Sequence, residues 1–275
     1  MDAVLQPGLY IVATPIGNLG DITLRACEVL RGVSAVACED TRVTGKLLKH
    51  LGIKQRMIRY DDHASGETRD YLLGMMQEMP VALVSDAGTP LISDPGYRLV
   101  RAAREMGIAV TSLPGASAAI TALTLSGLPS DRFLFAGFLP VKAKGRGDLL
   151  AELASLRATL VFYETGPRLS DTLAALGQAL PDREVAVARE LTKFYEECRN
   201  GTAAELISHY AAHPPKGEIV VLVAPPGEAV AEDFDMDALL RSELGTSKPS
   251  HAASKLAKLT GIDRKVIYAR ALELK

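Results

Sequence analysis

VALVSDAGTPLISDPG, residues 81–96, joins a short apolar run to a turn of glycine, proline and aspartate, and the rest of the chain is organised around it. Val81, Leu83 and Val84 have the character of a strand covered on both faces. Gly88 and Gly96 allow backbone angles and close approaches that a Cβ blocks, while Pro90 and Pro95 fix φ and remove N–H donors. Asp94 before Pro95 reads as a helix N-cap, and Leu99, Val100 and Ala103 continue that helix at helical spacing. In an open parallel sheet, the carboxyl end of such a strand opens onto the crevice where ligands sit. The same residues also fit an ordinary strand-to-helix turn, so the flanking sequence has to decide.

Composition sets the frame. The 275 residues are 48% hydrophobic and 23% charged, ordinary for a globular protein with room for two domains. Thirty-one basic against 33 acidic residues leave a net charge of −2, so no global field draws the chain to a polyanion and any such site must be local. Cys27, Cys38 and Cys198 are odd in number and far apart. They read as reduced thiols of a cytoplasmic protein rather than a disulfide frame or a zinc knuckle. The leading MDAVLQPGLYIVATP reads as neither a signal peptide nor a membrane span.

Upstream, Leu9–Ala13 reads as a first strand, followed by the turn TPIGNLGD at 14–21, which is neither GxGxxG nor a phosphate loop. A second strand, Ala35–Cys38, ends in Glu39-Asp40-Thr41-Arg42. Asp40 there either caps the next helix, with Arg42 pairing a carboxylate, or faces a substrate. His63, in the polar loop after Tyr60, is a weak candidate base. A strand at 109–113 leads into Pro114-Gly115-Ala116-Ser117, whose helix start offers backbone N–H groups to a polar ligand. Five βα-like segments predict a first α/β domain over 1–127, with a hinge at Gly127–Ser130.

Downstream, strands are expected at Phe133–Phe138, at Thr159–Tyr163 before Glu164-Thr165-Gly166-Pro167, at Glu184–Ala188 before Arg189-Glu190-Leu191-Thr192-Lys193, and at Gly217–Val223. These give a second domain over 128–224. Residues 141–148, VKAKGRGD, read as a mobile basic loop in which Lys142, Lys144 and Arg146 reach phosphates. His209 and His213 stand four apart, but Pro214 and Pro215 follow and no third ligand is evident, so no metal is expected. An acidic linker spans 225–237. Residues 238–275 then form a basic helical tail of helix-turn-helix kind, with eight Lys or Arg against three Asp or Glu from 241 onward.

LYIVATPIGNLGDIT, ACEDTR, VALVSDAGTPLISDPG, LPGASAAITAL, FLFAGFLP and FYET, in this order between residues 8 and 224, resemble the ribosomal RNA small-subunit methyltransferase I family, a branch of the class III tetrapyrrole methylase superfamily. The resemblance implies an α/β fold of two αβα domains, with S-adenosylmethionine folded in the cleft between them. It also implies a homodimer and 2′-O-methylation of a cytidine in the decoding region of 16S ribosomal RNA. Carried over by position, Pro15, Asp86, Gly88, Thr89, Ile92, Ala116 and Ser117 would line the cofactor from the first half, and Tyr163 and Gly217 from the second.

The chemistry asked of such a site is displacement at a methyl carbon by a ribose oxygen, helped by alignment of the reactants and by a base near the hydroxyl proton. Asp40 and Glu164, at strand ends facing the expected cleft, are the candidate catalytic carboxylates. Arg42, Lys142, Lys144 and Arg146 are the candidate RNA contacts, and the substrate is expected to be an assembled small ribosomal subunit rather than free RNA. Two rivals remain: a class III methyltransferase acting on a small tetrapyrrole, and a non-enzymatic nucleic-acid-binding module that uses the helical tail.

Overall fold

The computed structural model describes residues 5–61, 64–227, 236–245, 247–260 and 263–274. His63 and most of the expected acidic linker lie outside them. The chain forms two compact units, Met1–Pro225 and Pro226–Lys275, so the expected boundary at 127 falls inside the first unit.

The first half of that unit carries β1 (Gly8–Val12), β2 (Ala35–Cys38), β3 (Met57–Arg59), β4 (Pro80–Val84) and β5 (Val110–Leu113). All pair in parallel, in the order β3-β2-β4-β1-β5. Strand side chains alternate between faces. Val12, Val36, Cys38, Ala82 and Val84 therefore pack on one side against α1 (Leu24–Gly32) and α2 (Thr41–His50). Leu9, Ile11, Ala37, Val81 and Leu83 pack on the other against α3 (Gly66–Glu78) and α4 (Tyr97–Glu105). The neighbours β1 and β4 thus send their following helices to opposite faces, and a crevice opens between their carboxyl ends, the switch point at which such sheets bind ligands.

The second sheet, in the order β6-β7-β10-β8-β9, is built from β6 (Phe133–Phe138), β7 (Thr159–Thr165), β8 (Val185–Arg189), β9 (Glu197–Gly201) and β10 (Glu218–Val223). Only β6 and β7 run parallel; the remaining pairs are antiparallel. One face packs Leu160, Phe162, Val187 and Val221 against α6 (Ala143–Leu153), α7 (Leu169–Ala179) and α8 (Ala203–Ala212). Phe162 is fully buried there, a site where truncation to alanine costs about 3–5 kcal/mol. The other face packs Val161, Ala186, Ala188, Val220 and Leu222 against α5 (Ala118–Ser126). A helix expected to close the first half therefore seals the second sheet.

Two further expectations change. Residues 143–153 are helix α6, not a mobile loop, because Leu150 and Leu153 supply a buried stripe that outweighs two glycines. Asp94 does not cap α4. The N-cap is Gly96, at φ 127°, where a Cβ would lie 2.8 Å from Leu83 Cδ2.

The second unit holds α9 (Met236–Leu244), α10 (Pro249–Thr260) and α11 (Arg264–Glu273) around Leu240, Ala253, Leu256, Ile267 and Ala271. Arg270 pairs with Asp237, and Lys255 with Glu243. Among the described residues no helix is long and apolar enough to cross a membrane.

Candidate active site

The crevice between β1 and β4 is closed at its base by backbone. Thr14 and Gly88 exchange N–H···O bonds of 2.8 and 3.0 Å just beyond the strands. Gly88 sits at φ 81°, and a Cβ there would press on Ile16 at 3.3 Å. The Thr89 hydroxyl donates to the Ala116 carbonyl at 3.0 Å, tying the turn after β4 to the turn after β5.

The rim of the second sheet faces these turns and encloses a cleft of about 340 Å³, the size of a small-molecule site. Tyr163 packs edge-on to Phe135 and Phe138. Burial pushes its phenol pKa up, against a lowering influence of the Ala119 backbone N–H at the start of α5. The turn after β8 completes the wall: Glu190 and Thr192 adopt left-handed backbone at φ 51° and 64°. Thr192 Oγ1 accepts the Asn18 N–H at 3.0 Å, while Gly17 lets this turn approach so closely that a Cβ would lie 2.8 Å from Lys193.

A second, more open lobe of about 740 Å³ adjoins this cleft and is lined by Asp40, Thr41, Arg42, Arg59, Asp61 and Pro95. Glu39, Asp86, Ser93 and Asp94 line both lobes. Charge is organised locally here. Asp40 caps α2 by accepting the Arg42 N–H at 2.8 Å and pairs with the Arg42 guanidinium at 2.5 Å. Those bonds hold its carboxyl down at about 2. Arg59 pairs with Asp61 at 2.8 Å. Asp86 accepts the Asp40 N–H, and burial nonetheless moves its carboxyl up. Asp94 is pushed up to about 6, first by burial and further by Glu39, Asp86 and Glu218, against a lowering influence of the Ser85 hydroxyl.

Of the residues expected from sequence, Asp86, Gly88, Thr89, Ile92, Ser117, Tyr163 and Glu164 line the enclosed cleft. Pro15, Ala116 and Gly217 stand one residue away from the lining Ile16, Ser117 and Glu218. Asp40 and Arg42 line the charged lobe, and Lys142, Lys144 and Arg146 line neither. Arg146 is buried, its guanidinium near the Val141 carbonyl and Asp171, which withdraws it from any phosphate.

Both carboxylates expected to be catalytic are engaged. Asp40 at about 2 is a weak proton acceptor. Glu164 is fully buried and accepts from Thr172 at 2.6 Å and the Thr165 N–H at 2.8 Å, with Arg168 at 3.2 Å. His209 and His213 stack at 4.7 Å, and no cluster fit to hold a metal occurs among the described residues. Sequence reasoning missed Asp94, Phe138 and the Glu190–Lys193 turn as site residues. The charged exit after β8 was the available signal for that turn.

Fold and cleft together define a class. Residues 8–207 match the model of the Tetrapyrrole (Corrin/Porphyrin) Methylases, and residues 228–275 match that of the RsmI C-terminal HTH domain. Similar solved structures include uroporphyrin-III-C-methyltransferase from Thermus thermophilus, with a TM-score of 0.56 and 22% identity over 79% of this chain and 94% of that one. Diphthine synthase has a TM-score of 0.63 and 15% identity, over 78% and 89%. These likenesses speak to the fold alone.

Full-length relatives narrow the class. Ribosomal RNA small subunit methyltransferase I of Erythrobacter litoralis (strain HTCC2594) is 65% identical, covering 98% of this chain and 96% of that protein. The proteins of the same name in Mesorhizobium japonicum and Escherichia coli O157:H7 are 53% and 48% identical, each over 98% of this chain and over 93% and 96% of their own lengths. The chain belongs to the ribosomal RNA small subunit methyltransferase I family of tetrapyrrole methylases.

Proposed function

We propose that this chain transfers a methyl group from S-adenosylmethionine to the 2′-oxygen of a cytidine ribose in the decoding region of 16S ribosomal RNA. It acts as a cytoplasmic homodimer on the assembled small ribosomal subunit. The observation that carries this reading is the paired cleft: an enclosed lobe between the two sheets opens, through four shared residues, into a wider charged lobe.

The enclosed lobe suits the cofactor. Its floor is backbone that a Cβ at Gly88 would fill, its walls include the apolar Ile16, Ile92, Leu191 and Val220, and its lining carries Glu39, Asp86, Asp94 and Glu218, complementary to a sulfonium cation. Asp86, Gly88, Thr89, Ile92, Ser117 and Tyr163 would hold the cofactor, with Pro15, Ala116 and Gly217 shaping the backbone behind them. When bound, it supplies an electrophilic methyl carbon. The protein's own contribution is to hold the ribose against that carbon in line, which alone lowers a barrier by about 7 kcal/mol or more in favourable cases.

The wider lobe carries five carboxylates against Arg42 and Arg59, so an RNA strand would be held at its rim by arginine rather than drawn in by a basic field. Arg42, 86% exposed along its side chain, reaches from the lobe toward solvent. The exposed Lys142 and Lys144 and the basic surplus of residues 241–275 add phosphate affinity.

The test is titration calorimetry with S-adenosylmethionine on the wild type and on Thr89→Arg, followed by labelled methyl transfer to small subunits and mapping of the ribose modified. Binding that is lost in the variant, with label at a cytidine 2′-oxygen, is the expected result. Label on a tetrapyrrole precursor in place of RNA, or no cofactor binding by the wild type, overturns the reading.

A further inference from the structure

The reaction proposed above needs a group to receive the hydroxyl proton, and the two carboxylates expected from sequence are committed elsewhere. Only Glu39, Asp86, Ser93 and Asp94 line both lobes, so among the described residues they alone stand where cofactor and ribose would meet. Asp86 already accepts the Asp40 N–H at 3.2 Å. Asp94 is different in how its chain is held. It follows two non-glycine residues in left-handed backbone, Leu91 at φ 75° and Ser93 at φ 62°. Such conformations cost of order 1 kcal/mol or more each and persist only where the surroundings enforce them. Directly after Asp94 the chain passes Pro95 and then Gly96, which is wedged against Leu83. The turn therefore delivers this one carboxylate to the junction of the lobes instead of to the helix cap that its sequence suggests.

We propose that Asp94 is a catalytic residue, the general base that accepts the ribose 2′-hydroxyl proton. The inference rests on the function proposed above. As the ribose oxygen bonds to the methyl carbon, the carbon–sulfur bond breaks and its electron pair leaves with sulfur. The proton from the oxygen passes to an Asp94 carboxylate oxygen and from there to solvent. No further reactant is needed.

The surroundings fit the role. The groups acting on Asp94 are Glu39 at the end of β2, Asp86 after β4 and Glu218 at the start of β10, all acidic, with the Tyr163 phenol of β7 beside it. Half-burial and these like charges raise its proton affinity to about 6, so it is ionised at neutral pH yet a far better acceptor than Asp40. The Ser85 hydroxyl donates to the Gly88 carbonyl at 3.1 Å and acts on Asp94 in the lowering direction. With its proton on that carbonyl, its oxygen is left as an acceptor for a protonated Asp94.

The test uses the full-length protein with small ribosomal subunits as methyl acceptor. Asp94→Asn is expected to lower kcat by about a hundredfold or more, while S-adenosylmethionine still binds, weakened by no more than about tenfold because Glu39, Asp86 and Glu218 keep the lining acidic. In the wild type, kcat should fall about tenfold per pH unit below 6, and that acidic limb should vanish in Asp94→Asn. A readout independent of turnover is carbon-13 NMR of aspartate carboxyls, where one resonance titrating near 6 should be present in the wild type and missing from Asp94→Asn. The inference is overturned if Asp94→Asn keeps kcat within threefold, if no carboxyl titrates near 6, or if Asp86→Asn rather than Asp94→Asn removes the limb. Those results leave an active wild type, and the proposed function, standing. A wild type that binds cofactor but methylates no ribose brings down both.

Discussion

The two lobes of the cleft are held by different physics. The enclosed lobe is fixed by bonds between residues far apart in sequence: Thr14 with Gly88, Thr89 with Ala116, Asn18 with Thr192. The charged lobe is fixed mainly by pairs two residues apart, Asp40 with Arg42 and Arg59 with Asp61, with one long-range bond from the Asp40 N–H to Asp86. The first kind of site exists only when the whole body is folded, so it is rigid before any ligand arrives. The second is built from exposed ion pairs worth about 0–1 kcal/mol each, which salt screens and a polyanion can rearrange. On the function proposed, this contrast sets a rigid pocket for the small cofactor beside an adaptable one for RNA.

The strongest way to break it is at Gly88. Gly88→Val places a branched side chain at φ 81° against Ile16, in the floor of the enclosed lobe. Cofactor affinity by calorimetry should fall by about a hundredfold or more, while small-subunit binding measured by filtration changes less than threefold. Equal losses in both would show that the lobes are not separate.

Glu164 tests whether the rim of the second sheet is scaffold. Glu164→Ala strips Thr172 and Arg168 of a fully buried partner, and denaturant unfolding should show a loss of about 3 kcal/mol. A stable variant that binds cofactor but does not turn over would instead return Glu164 to a catalytic role. Arg42 probes the softer lobe. Arg42→Ala should weaken small-subunit binding by about tenfold and reduce the salt slope by about one, with cofactor affinity unchanged.

The same division explains what could be read from sequence. The strands of the parallel sheet were legible because β2 and β4 are buried on both faces and show it as apolar runs. β3 was invisible, a three-residue edge strand of Met, Ile and Arg. So was β9, whose ECRNG has no apolar alternation and is held by pairing with β8, including the Arg189–Glu197 bridge. Helix α6 was hidden by its glycines and the basic residues at its start, since its evidence is tertiary: the leucines that meet β7 and α7. In the site, the glycines and the strand-end carboxylates announced themselves, and the pairing of Asp40 with Arg42 was one of the readings open from local spacing alone. Asp94 was mistaken for a cap because no local rule places Leu91 and Ser93 in left-handed backbone. That conformation carries the turn two residues further and hands the cap to Gly96.

The smallest expected effect sharpens the comparison through the pH dependence of stability. Asp94 has a folded-state pKa raised from 3.8 to about 6. The native state therefore holds this proton more tightly than the unfolded chain does. The resulting stabilisation is fully present below pH 3.8 and is lost as pH rises through 6. Above that, the ionised carboxylate is a cost, so Asp94→Asn should be more stable than wild type at pH 8 by on the order of 1 kcal/mol after allowance for partial exposure. That corresponds to roughly 2–4 °C in Tm, and the gap should close by pH 4. Asp40, held down from 3.8 to about 2, carries the opposite sign. Its contribution is present above pH 3.8 and is lost as pH falls through 2, so Asp40→Asn should be less stable than wild type at pH 8 and converge only in strong acid. Melting curves of the two variants across pH should thus diverge in opposite directions from the wild type. If both shift the same way, the junction of the lobes and the charged lobe beyond it do not differ in electrostatic design, and Asp94 is one more surface carboxylate.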